Sequence, residues 1–305
     1  MEYGVHLPLI DFEGRGFTFE SLLSYTAEAE RLGYTQISAN DHLVYLHPWL
    51  DGPTALAAVM HKTGAMTLST SVTLVAVRRP VVVAKMLGAI SLLSGGRLIA
   101  SVGPGSLQLD YQGMDVPYEE RWKRLDDGIR MLRALWAGDE YAGKFYSTLG
   151  VPMEPRPPLT PIWIGSWGSD AGLRRVARLG DGWMASAYNT TPERFAAAMA
   201  QLNGLLTAAG KDASSFPNTL ATMWCYITED RAETDTVLRD VIAKVVRHPQ
   251  EQLRERLLVG SAEEAARKVR AFAEAGVQRL LIWPVRDEIR QIETFMSKVL
   301  PLVVS

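Results

Sequence analysis

Residues 161–184 read PIWIGSWGSDAGLRRVARLGDGWM, and this stretch decides the fold. Its apolar start, 162–164, predicts a short buried strand that stops at the Gly/Ser-rich turn 165–169. The spacing of apolar residues predicts a helix from Asp170, and a second short strand is predicted after Gly182. Short apolar strands separated by a helix are typical of a parallel sheet that is covered on both faces.

The turn itself is a candidate phosphate site. It consists of Gly165, Ser166, Trp167, Gly168 and Ser169. A turn of this composition before a helix exposes backbone N–H groups at the positive end of the helix dipole, which attracts anions. The alternative is a tight turn in which the glycines serve the backbone alone, and the turn by itself leaves both interpretations open.

Composition argues against several classes of function. The chain of 305 residues is 47% hydrophobic, and its formal net charge of −2 comes with no basic stripe for a nucleic acid. No apolar run approaches the roughly 18 residues of a membrane span, and the N-terminus does not resemble a signal peptide. Cys225 is the only cysteine, which fits a reducing compartment. We therefore expect a cytoplasmic protein without nucleic-acid or membrane partners.

Eight predicted strands alternate with helices along the chain. The strands are predicted over 3–7, 34–38, 68–77, 97–102, 162–164, a short segment after 182, 220–227 and 279–283. Besides the helix that begins at Asp170, helices are predicted over 17–32, 54–66, 80–93, 117–137, 192–209, 263–275 and 289–300. Ser261 and Glu264 form a capping-box signature before one of them. Eight such units favour a closed (β/α)₈ TIM barrel over an open, doubly wound sheet.

Two excursions interrupt the alternation. The first, about 104–160, includes the long helix 117–137 and a hairpin-like segment over 140–150. The second, 230–260, is charged and predicted to be helical. Long insertions on barrels usually lie over the catalytic face, at the C-terminal ends of the strands. Because no segment looks like a linker or a repeat, the sequence predicts one domain over 1–305 with both insertions over its mouth.

His42 is the candidate catalytic residue among those that follow the predicted strands, where barrels place their chemistry. A histidine there can act as an acid, a base or a hydrogen-bond donor, and a surface or capping histidine is the alternative. His47 and His61 do not complete a set of three or four metal ligands at fixed spacing, so no metal is expected. The chain also has no GxSxG, P-loop or GxGxxG motif.

Six segments carry a family resemblance. They are SANDHL (38–43), TSVTLVAVRRP (70–80), SGGRLIASVGPGS (94–106), ERWKRLDDGIRMLRALWAG (120–138), the opening stretch 161–184 and SAEEAARKVRAFAEAGVQRLLIW (261–283). Together and in this order, they resemble the bacterial luciferase-like family of flavin- and deazaflavin-dependent oxidoreductases. The resemblance implies a (β/α)₈ barrel with FMN or the deazaflavin coenzyme F-420 across its mouth, and two-electron hydride chemistry.

The resemblance also implies roles for single residues. His42 would be the catalytic residue beside the cofactor ring. Asp41 is implied to bind the cofactor, and Ser71-Val72 would form a bulge that backs the ring, often through a cis peptide. Gly103 and Gly105 would lie beside the ring. The residues implied to surround the phosphate are Ser166, Trp167, Gly168 and Ser169. Ser106 and Leu109 depart from the family pattern, in which sugar-phosphate dehydrogenases have a glutamate and a frequent asparagine contact. The departures argue against a sugar-phosphate substrate.

The sequence and the resemblance together predict an oxidoreductase that transfers a hydride between F-420 or FMN and a small organic substrate. One alternative is an FMN-dependent monooxygenase that receives reduced flavin from a partner reductase, and another is a flavin-binding barrel without turnover. A homodimer is also expected. The residues predicted to line a pocket for a flat or apolar substrate are Leu46, Trp49, Tyr111, Trp167, Tyr188 and Trp283.

Overall fold

The computed structural model describes residues 1–148, 150, 152–246 and 248–304. Ten parallel strands form one sheet in these ranges. They are β1 Glu2–His6, β2 Gln36–Ala39, β3 Thr67–Thr70, β4 Thr73–Leu74, β5 Leu98–Gly103, β6 Ile162–Gly165, β7 Gly182–Ser186, β8 Asn218–Ile227, β9 Leu258–Gly260 and β10 Arg279–Pro284.

Eight of these strands close into a barrel. Neighbours pair in the order β1, β2, β3, β5, β6, β7, β8 and β10, and β10 pairs with β1 to complete the ring. Strand β4 continues beyond β3 and pairs with the end of β5, while β9 pairs with the end of β8. The predicted (β/α)₈ TIM barrel is confirmed, and each of the eight predicted strands overlaps a barrel strand.

Helices surround the barrel and its mouth. They are α1 Phe19–Arg31, α2 Gly52–Val59, α3 Val75–Arg78, α4 Pro80–Leu93, α5 Gln108–Gln112, α6 Arg121–Ala137, α7 Asp170–Leu179, α8 Pro192–Ala208, α9 Arg231–Thr236, α10 Ala243–Val246, α11 Gln250–Arg256, α12 Ala262–Glu274, α13 Glu288–Thr294 and α14 Leu300–Val304. Helix α4 has the predicted bounds, and α7 begins at the predicted residue. In the described ranges, none of the helices combines the length and apolar character that a membrane crossing requires.

The capping box before α12 is present as predicted. The hydroxyl of Ser261 accepts the N–H of Glu264 at 3.3 Å, and the carboxylate of Glu264 accepts the N–H of Ser261 at 3.3 Å. Two N–H groups that a helix start leaves without intrahelical partners are thereby satisfied.

The third predicted strand is too long. One extended run over 68–77 is predicted from its β-branched residues, and this prediction is wrong beyond Leu74, because α3 is a helical turn. Val75 packs onto α6, where a Cβ on Gly128 would lie 2.6 Å from Val75 Cγ1. β-Branched residues favour a strand only as far as the packing around them allows, and here the close approach of α6 decides.

The first insertion contributes α5, α6 and a hairpin. An antiparallel bridge between Ala142 and Ser147 confirms the hairpin-like segment, of which Leu149 lies outside the described residues. Asp127 of α6 holds the hairpin, because its carboxylate accepts the N–H of Phe145 at 2.6 Å. The predicted helix over 117–137 starts at Arg121, after a 3₁₀ turn.

The second insertion is helical as predicted. It consists of α9, a π-helical turn Val237–Ile242, α10 and α11, and it ends in β9. Arg247, between α10 and α11, lies outside the described residues.

Candidate active site

A cleft with two chambers opens at the C-terminal ends of the barrel strands. The first chamber has a volume of about 260 Å³ and the second about 390 Å³. Both insertions line the cleft, as predicted: Arg121 and Trp122 border the first chamber, and Lys244 and Val245 border the second. The residues that border both chambers are Asn40, His42, Ser106, Trp167, Tyr188 and Thr222.

His42 stands where the two chambers meet. Its Nδ1 lies 2.8 Å from Oδ2 of Asp110, which is fully buried in α5. The other oxygen of Asp110 accepts the N–H groups of Leu43 at 2.7 Å and Val44 at 2.9 Å. Because a carboxylate only accepts hydrogen bonds, Nδ1 of His42 carries the proton and Nε2 is left to react.

Sequence reasoning does not find Asp110. The residue lies 68 positions from His42 and belongs to a helix of five residues. The one available signal is its place shortly after the loop that follows β5, at the catalytic end of the barrel.

Asp41 has partners within the chain. Its carboxylate accepts Nη2 of Arg78 at 2.6 Å, Nε of Arg78 at 2.8 Å and the N–H of Leu74 at 3.1 Å. The same guanidinium also donates to Asp51. The buried carboxylate borders the first chamber and ties the end of β2 to α3. Its contact with a cofactor stays a prediction.

A buried histidine fixes the hydroxyl of Ser71. The N–H of Thr222 donates to Nε2 of His6 at 3.1 Å, so His6 carries its proton on Nδ1, which lies 3.2 Å from Ser71 Oγ. Burial lowers the pKa of His6 to about 3 and keeps the ring neutral near pH 7. The hydroxyl hydrogen of Ser71 is then available to an acceptor in the first chamber, which Ser71 borders. The Ser71–Val72 peptide bond is cis.

Thr222 has an uncommon backbone conformation beside the junction of the chambers. Its φ of +56° is rarely adopted by a β-branched residue. Strand β8 bulges here, because its pairing with β10 shifts between Leu280 and Ile282. The bond to His6 and a 2.9 Å hydrogen bond between the hydroxyls of Thr222 and Ser186 hold the residue in place. Strain of this kind concentrates at functional sites.

The glycines beside the first chamber make room for side chains of the chain itself. A Cβ on Gly103 would lie 2.5 Å from Val72 Cγ2, and one on Gly105 would lie 2.8 Å from Leu74 Cδ2. The side chain of Val72 therefore packs directly against the backbone of β5 at Gly103, and Val72 forms part of the chamber floor. Gly103 and Gly105 border the chamber, while their contact with a cofactor stays a prediction.

The Gly/Ser turn begins α7 at the edge of the first chamber. Ser169 caps the helix, since its hydroxyl accepts the N–H of Gly172 at 3.3 Å. The N–H groups of Ser169, Asp170 and Ala171 have no hydrogen-bond acceptor in the described part of the chain. Three such donors at the start of a ten-residue helix are suited to an anion, and the binding of a phosphate here stays a prediction.

Gly168 differs from its neighbours in the turn because it does not border the first chamber. Its φ of +84° favours glycine, and its N–H donates to Ser166 Oγ at 3.2 Å. Ser166, Trp167 and Ser169 border the first chamber, whereas Gly168 does not. Gly168 therefore shapes the turn, and the other four residues of the turn, Gly165 included, line the chamber.

Arg121 adds a cation to the first chamber. It donates to the carbonyl of Tyr118 at 3.0 Å, and its guanidinium lies 4.0 Å above the ring of the same tyrosine. Within the described ranges it forms no ion pair with a carboxylate. The sequence does not single out Arg121, because it is one of several charged residues at the start of α6.

Aromatic rings line the second chamber. The ring of Trp49 lies 4.6 Å from Tyr45 and 5.9 Å from Trp283, and Trp283 lies 5.5 Å from Trp224, all in edge contacts. Five of the six residues predicted for the substrate pocket border the cleft, namely Leu46, Trp49, Trp167, Tyr188 and Trp283.

Tyr111 is the exception, and its prediction is wrong. The side chain is fully buried and its hydroxyl donates to the carbonyl of Pro104. Its ring packs against Tyr118 with centroids 5.2 Å apart, in an apolar cluster beneath the loop that follows β5. This packing holds the ring away from the cleft.

The structure thus gathers most of the predicted site residues around one chamber. They are Asp41, His42, Ser71, Val72, Gly103, Gly105, Ser166, Trp167 and Ser169. Among the residues that the structure describes, no three His, Cys, Asp or Glu side chains are grouped as they would be to hold a metal ion.

The fold and the cleft define a (β/α)₈-barrel enzyme whose mouth combines a chamber beside the start of α7, an aromatic chamber and a histidine–carboxylate pair between them. A family model described as "Luciferase-like monooxygenase" matches residues 5–279. The chain belongs to the luciferase-like monooxygenase family, and it is an oxidoreductase.

Known proteins of similar sequence and structure use two kinds of cofactor. An F-420-dependent glucose-6-phosphate dehydrogenase of Amycolatopsis mediterranei is 25% identical, with 92% of this chain and 93% of that protein covered. The structure of an F-420-dependent secondary alcohol dehydrogenase in complex with an F-420–acetone adduct has a TM-score of 0.84 at 18% identity, covering 99% and 98%. The FMN complex of the oxygenating constituent of 3,6-diketocamphane monooxygenase from Pseudomonas putida has a TM-score of 0.76 at 17% identity, covering 99% and 98%.

Proposed function

We propose that this protein transfers a hydride between F-420 or FMN, held in the first chamber, and a small organic substrate in the second. The observation that carries the proposal is the place of His42, at the junction of an anion-binding chamber and an aromatic chamber. Relatives that depend on F-420 and a structural neighbour that binds FMN support the choice of cofactor.

The residues of the first chamber fit such a cofactor. Val72, Met184 and Ala221 offer an apolar floor for a flat ring, and the Ser71 hydroxyl offers a hydrogen bond at its edge. The N–H groups at the start of α7 and the guanidinium of Arg121 suit a phosphate. When bound, the cofactor accepts or supplies a hydrogen with two electrons.

His42 would move the proton that accompanies the hydride. When an alcohol is oxidised, its C–H hydrogen leaves with both electrons, and its O–H proton passes to Nε2 of His42, which leaves a carbonyl compound. Asp110 stabilises the imidazolium that forms, because it accepts the Nδ1 proton at 2.8 Å. Reduction of a carbonyl would follow the same path in reverse.

Cofactor titration tests this proposal. Tryptophan fluorescence is followed while F-420 or FMN is added to wild type and to the Arg121→Gln and His42→Ala variants. We expect one cofactor to quench the fluorescence at micromolar concentration, Arg121→Gln to weaken its binding severalfold, and His42→Ala to bind it but turn over about 10²–10⁴-fold more slowly. If neither cofactor binds, or if His42→Ala turns over normally, the proposal is overturned.

The FMN-dependent monooxygenase remains the second candidate, supported by the family and by the FMN-bound neighbour. It requires reduced flavin from a partner reductase and dioxygen as co-substrate. Stopped-flow reoxidation of the reduced complex separates the two candidates. Rapid reaction with dioxygen in the presence of FMN favours the monooxygenase, and slow reaction with F-420 favours the dehydrogenase or reductase. A barrel without turnover is not retained, because the chain is an oxidoreductase by family.

A further inference from the structure

The second chamber is apolar in its interior. Tyr45, Trp49, Trp224 and Trp283 stand edge to face along its wall, and Val245 closes it from the second insertion. Aromatic pairs prefer such edge-to-face arrangements, and the ring of Trp283 also stacks on that of His6, with centroids 4.5 Å apart. The interior therefore suits a planar or cyclic apolar body.

The rim of the same chamber holds one lysine, Lys244. None of the described residues that line it is an aspartate or glutamate, and the ionisable side chains besides Tyr45 and Tyr188 are His42, His47, Lys244 and His248. The Nζ of Lys244 lies 3.8 Å from Asp240 Oδ1, and Asp240 makes a closer ion pair with Arg239 at 2.7 Å. The side chain of Lys244 is 62% exposed, so it can turn towards a ligand at the rim.

We propose that the second chamber selects an organic acid: a flat, apolar body lies among the tryptophans, and its carboxylate pairs with Lys244. The proposal rests on the proposed function, which assigns this chamber to the substrate. Its basis is separate, however, because it depends on the charges and rings of the chamber wall and not on the cofactor. A carboxylate near apolar walls is attracted more strongly by a cation than it is in bulk water.

Calorimetry with two matched probes tests the proposal. The full-length protein is titrated with 2-naphthoate and with 2-naphthamide, its neutral isostere, with and without the cofactor. We expect the acid to bind about fivefold or more tightly than the amide at low ionic strength, and salt to reduce this difference. Lys244→Gln should remove the preference and leave the amide unchanged, Lys244→Arg should restore it, and Lys298→Gln, a change at an exposed lysine of the π-helical turn before α14, should have no effect.

The outcomes separate this proposal from the proposed function. Three results would overturn the acid-selective chamber, even if the enzyme turns over other substrates. They are equal binding of acid and amide, an acid preference that survives Lys244→Gln, and no binding of either probe. A failure to bind F-420 and FMN overturns the proposed function, even if the preference for the acid is found in the calorimetry.

Discussion

Two histidines, one that lines the cleft and one buried behind Ser71 and Thr222, use the same ring in opposite ways. The Nδ1–H of His42 donates a hydrogen bond to Asp110, which leaves Nε2 for the chamber. His6 has both nitrogens occupied, by Thr222 and Ser71, and burial keeps it neutral. The partners of each ring, rather than the ring itself, decide which histidine is suited to proton transfer and which to positioning.

Asp110→Asn should impair turnover without impairing cofactor binding. The asparagine oxygen can still accept the N–H groups of Leu43 and Val44, but its amide would donate to Nδ1 of His42 and move the ring proton to Nε2. We expect kcat to fall about 10²-fold or more, as the loss of an orienting carboxylate does in other histidine pairs. Steady-state kinetics and cofactor titration measure the two effects, with Asp139→Asn as the exposed control. A normal kcat in Asp110→Asn would contradict the role given to the pair.

His6 should make the protein less stable in mild acid. Its pKa is about 3 in the folded protein and about 6.5 in the unfolded protein. Between these pH values the unfolded state binds a proton and the folded state does not, so a fall in pH favours unfolding. Between pH 7 and pH 5 this linkage removes about 2 kcal/mol from the free energy of unfolding.

Urea unfolding at the two pH values measures this loss. The His6→Gln variant is the matched comparison, because its amide can accept the N–H of Thr222 and donate to Ser71 without titrating. We expect its stability to change about 2 kcal/mol less than that of wild type. An identical pH dependence of both proteins would show that His6 is not the group responsible.

At the scale of elements, the same capping motif begins one helix beside the cleft and another helix away from it. Ser169 caps α7 and Ser261 caps α12, each through an N–H three residues further on. The start of α7 borders the first chamber, whereas the start of α12 does not. The two caps therefore allow stability and anion binding to be measured separately.

Alanine at either cap should lower the free energy of unfolding by about 1 kcal/mol, since each change removes one acceptor from a helix start. Only Ser169→Ala should also weaken the binding of F-420 or FMN, by severalfold. Thermal melting and fluorescence titration of both variants give the comparison. If Ser261→Ala weakened cofactor binding as much as Ser169→Ala, the anion site could not be assigned to α7.

At the scale of the whole molecule, α4 presents an apolar stripe on the outer face of the barrel. Val82, Met86, Ala89 and Leu93 follow one another on α4 at intervals of four, three and four residues, which places them on one side of the helix. Val82 is 54% exposed and Leu93 is 75% exposed. A continuous apolar stripe of this kind marks a surface for another protein, and we propose that it contributes to the expected homodimer.

Light scattering after size exclusion tests the dimer. We expect wild type to have twice the mass of the chain at micromolar concentration, and Val82→Asp combined with Leu93→Asp to be monomeric and folded, because two buried charges would each need a partner. Phe19→Asp, at a 52% exposed position on α1, is the control and should stay dimeric. A monomeric wild type would refute the homodimer, and a dimeric double variant would move the interface elsewhere.

The sequence by itself determines the alternation of strands and helices, the bounds of α4, the capping box of α12 and the start of α7 at Asp170. These features depend on hydrophobic periodicity and on hydrogen bonds between residues a few positions apart, so neighbours in sequence suffice to specify them. The family segments add His42 and the chamber floor, whose residues already stand at predicted strand ends.

Only the tertiary structure decides which side chains meet. His42 and Asp110 are 68 residues apart, and His6 and Thr222 are 216 residues apart, so their pairing depends on barrel closure and strand register. The same is true of the two failures. Residues 75–77 leave the strand because α6 packs closely there, and Tyr111 is withdrawn from the cleft by a cluster of its own. Local patterns contain no information on these contacts, because burial and register arise only when distant segments have come together.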